Sequence, residues 1–301
     1  VNKMGVAKGE EIYVGQNEDG SLLLSLKKEE RGLKQCIIEA AAFDASMRNI
    51  VSAYVGGAST IVLRGKETNT LAEEARRILS GVEISEESGN ELVLKVLSYE
   101  AISLDGTTRR AFNVTKSMFE LAVSQYRDGT DVQVEMARKE DEVDRLYLLL
   151  LRSFCLYNQP ARQAVFKAIA AKSMEKISDH LEDICTSGKP LGPNALVANL
   201  IEKALVTYAS AYTSFSSNSI NAAEFAAAKD SYFKDFKKID ELLKKEKNTG
   251  KMLALKSLSE KCTKIIRYSE DILESGGDLI FANMEAEQQQ NKHLNTQPSN
   301  K

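Results

Sequence analysis

From about Thr107 onward, apolar residues return every three or four positions, and the pattern predicts six helices near 107–127, 131–157, 161–186, 193–216, 221–246 and 250–275. The breaks between them are Asp128-Gly129, Asn158-Gln159-Pro160, Ser187-Gly188-Lys189-Pro190, Ser216-Ser217-Asn218-Ser219 and Asn248-Thr249-Gly250. These connections are short, so neighbouring helices should run antiparallel. Val143, Tyr147, Leu150 and Phe154 form the apolar stripe of the second helix. Phe166, Ala170, Met174, Ile177, Leu181 and Ile184 form that of the third.

Upstream the period changes. Residues 34–105 read as a small α/β unit. Cys36, Ala40, Phe43, Met47, Ile50, Val51 and Tyr54 recur at helical spacing, predicting a helix over 40–55 that Gly56-Gly57 stops. A strand over 60–64, a helix over 69–79 and a hairpin of 82–86 with 91–96 follow. No chemistry stands out in this unit, and a spacer or dimerisation module is the default. Residues 10–15 and 21–26 read as two strands joined through Asp19-Gly20. Lys27-Lys28-Glu29-Glu30-Arg31 reads as a solvated linker. After Gly276 the chain is rich in Gln, Asn, Glu and Ser, and 277–301 is expected to be a disordered tail.

The six helices read as two copies of three. Leu181-Glu182-Asp183-Ile184-Cys185-Thr186-Ser187-Gly188 matches Ser269-Glu270-Asp271-Ile272-Leu273-Glu274-Ser275-Gly276. Val143-Asp144-Arg145-Leu146 matches Ile239-Asp240-Glu241-Leu242.

Composition narrows the chemistry. Of the 301 residues 43% are hydrophobic and 28% charged, ordinary for a soluble protein, and no run approaches the ~20 apolar residues of a bilayer span. No signal-peptide pattern opens the chain, so a cytoplasmic location without membrane insertion is expected. A net charge of −3 offers no bulk attraction to nucleic acid. Cys36, Cys155, Cys185 and Cys262 are too scattered for a thiolate zinc site or a disulfide scaffold. Cys155, Cys185 and Cys262 read as small core residues. Of the two histidines His293 lies in the polar tail, so a histidine-rich metal site is excluded and a His-based triad is disfavoured. The phosphate-loop, dinucleotide and nucleophile-elbow motifs are all missing.

What remains is carboxylate chemistry. Glu140 and Asp144, and Glu175 and Asp179, stand four apart on consecutive predicted helices, a spacing that puts each pair on one helix face. Two such pairs on adjacent helices could place four carboxylates around one point, where oxygen ligands suit hard or borderline cations. A plain solvated face accounts for either pair alone. The helical wheel puts Glu140 and Asp144 on a flank and Glu175 and Asp179 opposite the apolar stripe. The acids should then be accessible, without large pKa shifts, and poorly suited to acid–base catalysis. His180 reads as a helix-surface residue and Tyr147 as core-anchored. The basic stripe Lys237-Lys238 with Lys244-Lys245 reads as a solvated face. In the second copy Phe236, Thr263 and Arg267 stand where the first has Glu140, Glu175 and Asp179, so one metal site is expected, not two.

The segments Glu140-Asp141-Glu142-Val143-Asp144-Arg145-Leu146-Tyr147 and Met174-Glu175-Lys176-Ile177-Ser178-Asp179-His180 resemble the PhoU family of phosphate-uptake regulators. In that family each three-helix unit carries metal-binding acid-x-x-x-Asp motifs, and the resemblance covers roughly 105–275. Residues 4–14 with 18–24 look like the second half of an AbrB/SpoVT swapped-hairpin domain, an arrangement found ahead of PhoU in archaeal regulators. A complete domain of that kind would have a further hairpin and a short helix before Met4, so an alternative start or a longer natural chain is expected.

The resemblance implies a mainly α fold of tandem three-helix bundles, preceded by a small α/β region and an N-terminal β-hairpin. The expected divisions are 1–30 partial AbrB/SpoVT-like hairpin, 31–105 α/β domain, 106–188 and 189–276 helical units, and 277–301 tail. It implies a non-enzymatic regulator of phosphate uptake or signalling, a homodimer acting through phosphate transporter or signalling proteins. Glu140, Asp144, Glu175 and Asp179 would hold a divalent or trivalent metal: Fe, Zn or Mg. The alternative is a DNA-binding transcriptional regulator using the AbrB-like front. The acidic balance and the missing hairpin count against DNA binding. A carboxylate-bridged metalloenzyme is disfavoured because neither histidine supplies a Glu-x-x-His pair.

Overall fold

The computed structural model describes residues 12–16, 22–25, 35–97, 103–156, 161–217 and 219–295. The expected hairpin forms: β1 (Tyr13–Gln16) pairs antiparallel with β2 (Leu22–Ser25), Tyr13 opposite Ser25 and Gln16 opposite Leu22. Most of the AbrB/SpoVT-like segment, its Asp19-Gly20 turn, the charged linker and Asn158-Gln159-Pro160 lie outside the described residues.

The α/β unit holds one strand more than the periodicity indicates. It runs β3 (Gln35–Ala40), α1 (Phe43–Val55), β4 (Thr60–Gly65), α2 (Thr68–Ile78), β5 (Val82–Ser88) and β6 (Glu91–Val96). The sheet order is β3-β4-β6-β5, with β3 parallel to β4 and the other pairs antiparallel. Cys36 and Ala40, read from spacing as part of a helix, belong to β3, where Ile38 is buried and Ile37 faces outward. A short apolar run fits either period, and pairing with β4 decides it. Helix α1 buries Met47, Ile50, Ala53 and Tyr54 on the sheet, and it ends where Gly57 takes φ +92°.

The helical half follows: α3 (Leu104–Asp128), α4 (Gln133–Leu156), α5 (Ala161–Ser187), α6 (Ala195–Ser216), α7 (Ala222–Lys245) and α8 (Thr249–Asn295). Local chemistry sets the ends. The Ser103 and Asn194 side chains accept from the first-turn N–H groups of Gly106, and of Leu196 and Val197. Gly129, at φ +76°, closes α3. The units α3–α5 and α6–α8 share one hydrophobic core. Phe119, Met136, Val143, Met174 and Ile177 of the first join Tyr208, Tyr232, Leu258 and Ile265 of the second, as α5 packs on α8 and α3 on α6.

The disordered tail expected from residue 277 is corrected over its described length: α8 continues without a break to Asn295. Gly276 does not stop the helix, because its role is a close approach. A Cβ there would come within 2.7 Å of the Phe215 Cα. Beyond it Leu279 and Ile280 are buried, so the extension is anchored by apolar contact.

The α/β unit is fastened to the outer side of α4. Arg152 is 8% exposed, donates from Nη1 to the carbonyls of Tyr54 (2.5 Å) and Ala58 (3.0 Å), and lies over the Tyr54 ring. A guanidinium thus satisfies carbonyls at the C-terminal end of α1, where the helix dipole favours a cation. Arg77 of α2 adds an ion pair to Asp141 at 2.5 Å.

Candidate metal centre

Helix α4 offers Glu140 and Asp144, and α5, antiparallel and in contact with it, offers Asp179. One oxygen of each lies within 4.8 Å of the other two, and all three side chains are half-buried. Glu175, one turn back on α5, is only 7% exposed. It is held by lysines of its own helix, with Lys172 Nζ 2.8 Å from Oε2 and Lys176 Nζ 3.3 Å from Oε1. Lys176 also lies 2.6 Å from Asp179 Oδ2. The structure thus brings Glu140, Asp144 and Asp179 together and sets Glu175 beside them, turned toward ammonium groups.

These positions correct the helical wheel. Glu175 and Asp179 lie opposite the apolar stripe, but α5 is enclosed by α3, α4 and α8 and has no broad solvent side there. The expectation of unshifted carboxylates fails at Glu140 and Asp144, which are half-buried on α4. Burial, reinforced by Asp144, Glu182 and Asp179, pushes Glu140 up to about 8. Burial and the charges of Glu175 and Asp179 push Asp144 up to about 6, against the opposing pull of Lys172 and Lys176. Glu182 is raised too, by burial and then by Asp183 and Asp179. Asp144 Oδ1 is buried with no hydrogen-bond partner among the described residues.

The donor set is all oxygen, crowded with negative charge, partly desolvated and short of donors. A hard cation relieves each of these conditions, so the residues fit a metal ion. Glu140, Asp144 and Asp179 could ligate directly, and Glu175 could join only by turning from its lysines.

His180 is not on the surface as expected. It lies between α5 and α8 with its ring 5.8 Å from that of Tyr268, and neither ring nitrogen has a partner among the described residues. Burial, then the nearby Lys264 charge, lowers its pKa. Tyr147 is half-buried, and Lys172 Nζ sits 4.7 Å above its ring. Cys185 and Cys262 are buried core residues whose thiols burial pushes up to about 12, whereas Cys155 is exposed, contrary to expectation.

The second unit keeps only one of the four acids, Asp240. Phe236 packs against the core, Asp240 is half exposed and pairs with Lys244 at 2.6 Å, and the Thr263 hydroxyl donates to the Ser259 carbonyl. Arg267 is exposed. Among the described residues, no carboxylate cluster forms there.

The fold and the site together define a duplicated three-helix scaffold with a carboxylate cluster on its first copy. That copy matches a known family: residues 108–187, the span of α3 to α5, match the PhoU domain, the domain of a family of phosphate-uptake regulators. The hairpin, the α/β unit and the second helical unit lie outside the matched residues. No match was found among curated proteins or solved structures. Among the described residues, no helix is long and apolar enough to cross a membrane.

Proposed function

We propose that this protein is a non-enzymatic regulator of phosphate uptake or phosphate signalling, acting through contacts with transporter or signalling proteins, as a homodimer, with a metal ion held on its first helical unit. The supporting observation is the convergence of Glu140, Asp144 and Asp179 within the very unit that matches the PhoU domain. On the all-oxygen donor set the metal is a hard divalent or trivalent cation, Mg or Fe before Zn, which favours nitrogen and sulfur ligands.

Two experiments test the parts separately. Labelled-phosphate uptake by cells lacking the gene should stay high when external phosphate is plentiful, and the wild-type gene should restore repression. Unchanged uptake would sink the regulatory role. Titration of chelator-stripped protein with Mn²⁺ should reach a stoichiometric end point. Failure to bind Mn²⁺, Mg²⁺ or Fe³⁺ would sink the metal reading of the carboxylates.

A further inference from the structure

Lys176 directly contacts an acid of the cluster. Its ammonium lies 2.6 Å from Asp179 Oδ2 and 3.3 Å from Glu175 Oε1, bridging two acids one turn apart on its own helix. Asp179 is also one of the three residues whose oxygens converge with Glu140 and Asp144. One carboxylate is therefore shared between a built-in cation and a space shaped for an external one. The Lys176 side chain is 33% exposed, so its ammonium has a path to solvent.

We propose that Lys176 is the resident counter-cation of the carboxylate cluster, and that an incoming metal ion must displace its ammonium from Asp179. The proposal rests on the metal reading above and adds the residue that sets the affinity and charge selectivity of the site. With Lys176 in place, part of the negative charge is already neutralised and one oxygen of Asp179 is occupied. A metal near Glu140 and Asp144 meets a like charge across Asp179 until the lysine swings out. The repulsion grows with the charge of the ion, so Lys176 weighs more heavily against trivalent than divalent cations. Lys172 is placed differently, with Nζ 2.8 Å from Glu175 Oε2 and its charge over the Tyr147 ring. It contacts Glu175, and its charge also acts on Asp144, but unlike Lys176 it forms no ion pair with Asp179 among the described residues.

The test is titration of the full chain, stripped of metal, with Mn²⁺ and separately with Tb³⁺ followed by luminescence. Lys176→Met keeps the alkyl stem and removes the charge; Lys176→Arg keeps the charge. Lys237→Met removes an exposed charge from α7 of the second unit. Lys176→Met should tighten Mn²⁺ binding about tenfold and Tb³⁺ binding by more, whereas Lys176→Arg and Lys237→Met should leave both within about twofold of wild type. Lys176→Gln serves in place of the Met variant should circular dichroism show lost helix. Wild-type binding with no tightening in the neutral variants, or equal tightening by Lys237→Met, overturns the role of Lys176 and leaves the metal reading standing. Absence of binding in every protein overturns both. Binding by the neutral variants alone would be the strongest support.

Discussion

The two helical units are each built of three helices and carry contrasting chemistry. In the first, α4 and α5 press Glu140, Asp144 and Asp179 together in a half-buried seam. In the second, the same positions of α7 and α8 carry an aromatic ring, an acid paired with Lys244 and an exposed guanidinium. Both units hold their shape by apolar packing, as the shared core shows. The acids are therefore not needed to build a three-helix unit. In the metal-free state they strain it, by crowding like charge where water is scarce.

The two units should respond differently to perturbation. The largest effect is metal loading. A ligand at a hundredfold its dissociation constant stabilises the folded state by about 2.7 kcal/mol. Adding chelator to loaded protein should lower Tm by several degrees while helical circular dichroism below the transition is unchanged. Collapse of helicity at room temperature would make the metal structural and break the contrast.

A second comparison concerns Gly188 and Gly276, which occupy matching positions at the ends of the two repeats. At Gly188 a Cβ would fall on the Tyr126 hydroxyl, which donates to the Ile184 carbonyl at 2.7 Å. At Gly276 it would strike the Phe215 backbone. Alanine gains about 1 kcal/mol of helix propensity over glycine, but overpacking costs about 1–3 kcal/mol, and backbone cannot step aside. Gly276→Ala should therefore lose stability, by ~1–2 kcal/mol in urea unfolding. Gly188→Ala should lose a comparable amount. A stabilised Gly276→Ala variant would mean that α8 does not pass Phe215 so closely.

A smaller effect is pH dependence. Glu140 titrates near 8 when folded against an ordinary value of 4.5, so the folded state keeps its proton where the unfolded chain has released it. This stabilises the fold at low pH and is lost as pH rises from about 4.5 to 8. Asp144, raised to about 6, acts in the same direction over a lower window. Solvent reaches the seam and screens the charges, so the expected loss in metal-free protein is about 1–2 kcal/mol. Glu140→Gln should match wild type near pH 5 and melt higher at pH 8 in chelator, and equal melting at pH 8 would sink the idea of a strained carboxylate. Smallest is Asp240→Asn, which removes an exposed pair with Lys244 and should cost ~0.2–0.5 kcal/mol, read as a change in urea midpoint.

Much of this plan is legible along the chain. Helices α3 to α7 lie within three residues of the positions their apolar spacing predicts; Gly129 closes α3, and the Asn194 and Asn221 side chains cap α6 and α7. The duplication is visible in the repeated Glu-Asp-Ile motifs at 182–184 and 270–272. The failures share a cause. A helical wheel assumes one buried stripe, yet α5 is packed by three other helices, so it hides Glu175 and His180 on its supposed solvent side. Periodicity ranks Cys155 with the core although it faces solvent at the end of α4. It misses β3, whose identity comes from pairing with β4. It ends α8 at a glycine pair whose purpose is close packing.

The central claim is that the first unit holds a metal ion and the second does not. Metal per chain should be counted by elemental analysis after loading and desalting, in wild type, Glu140→Ala with Asp144→Ala, and Asp240→Ala, each checked for helicity by circular dichroism. The account predicts stoichiometric metal in wild type and Asp240→Ala, and none in the double variant with its helix content intact. Equal metal in all three, or none in any, would contradict it.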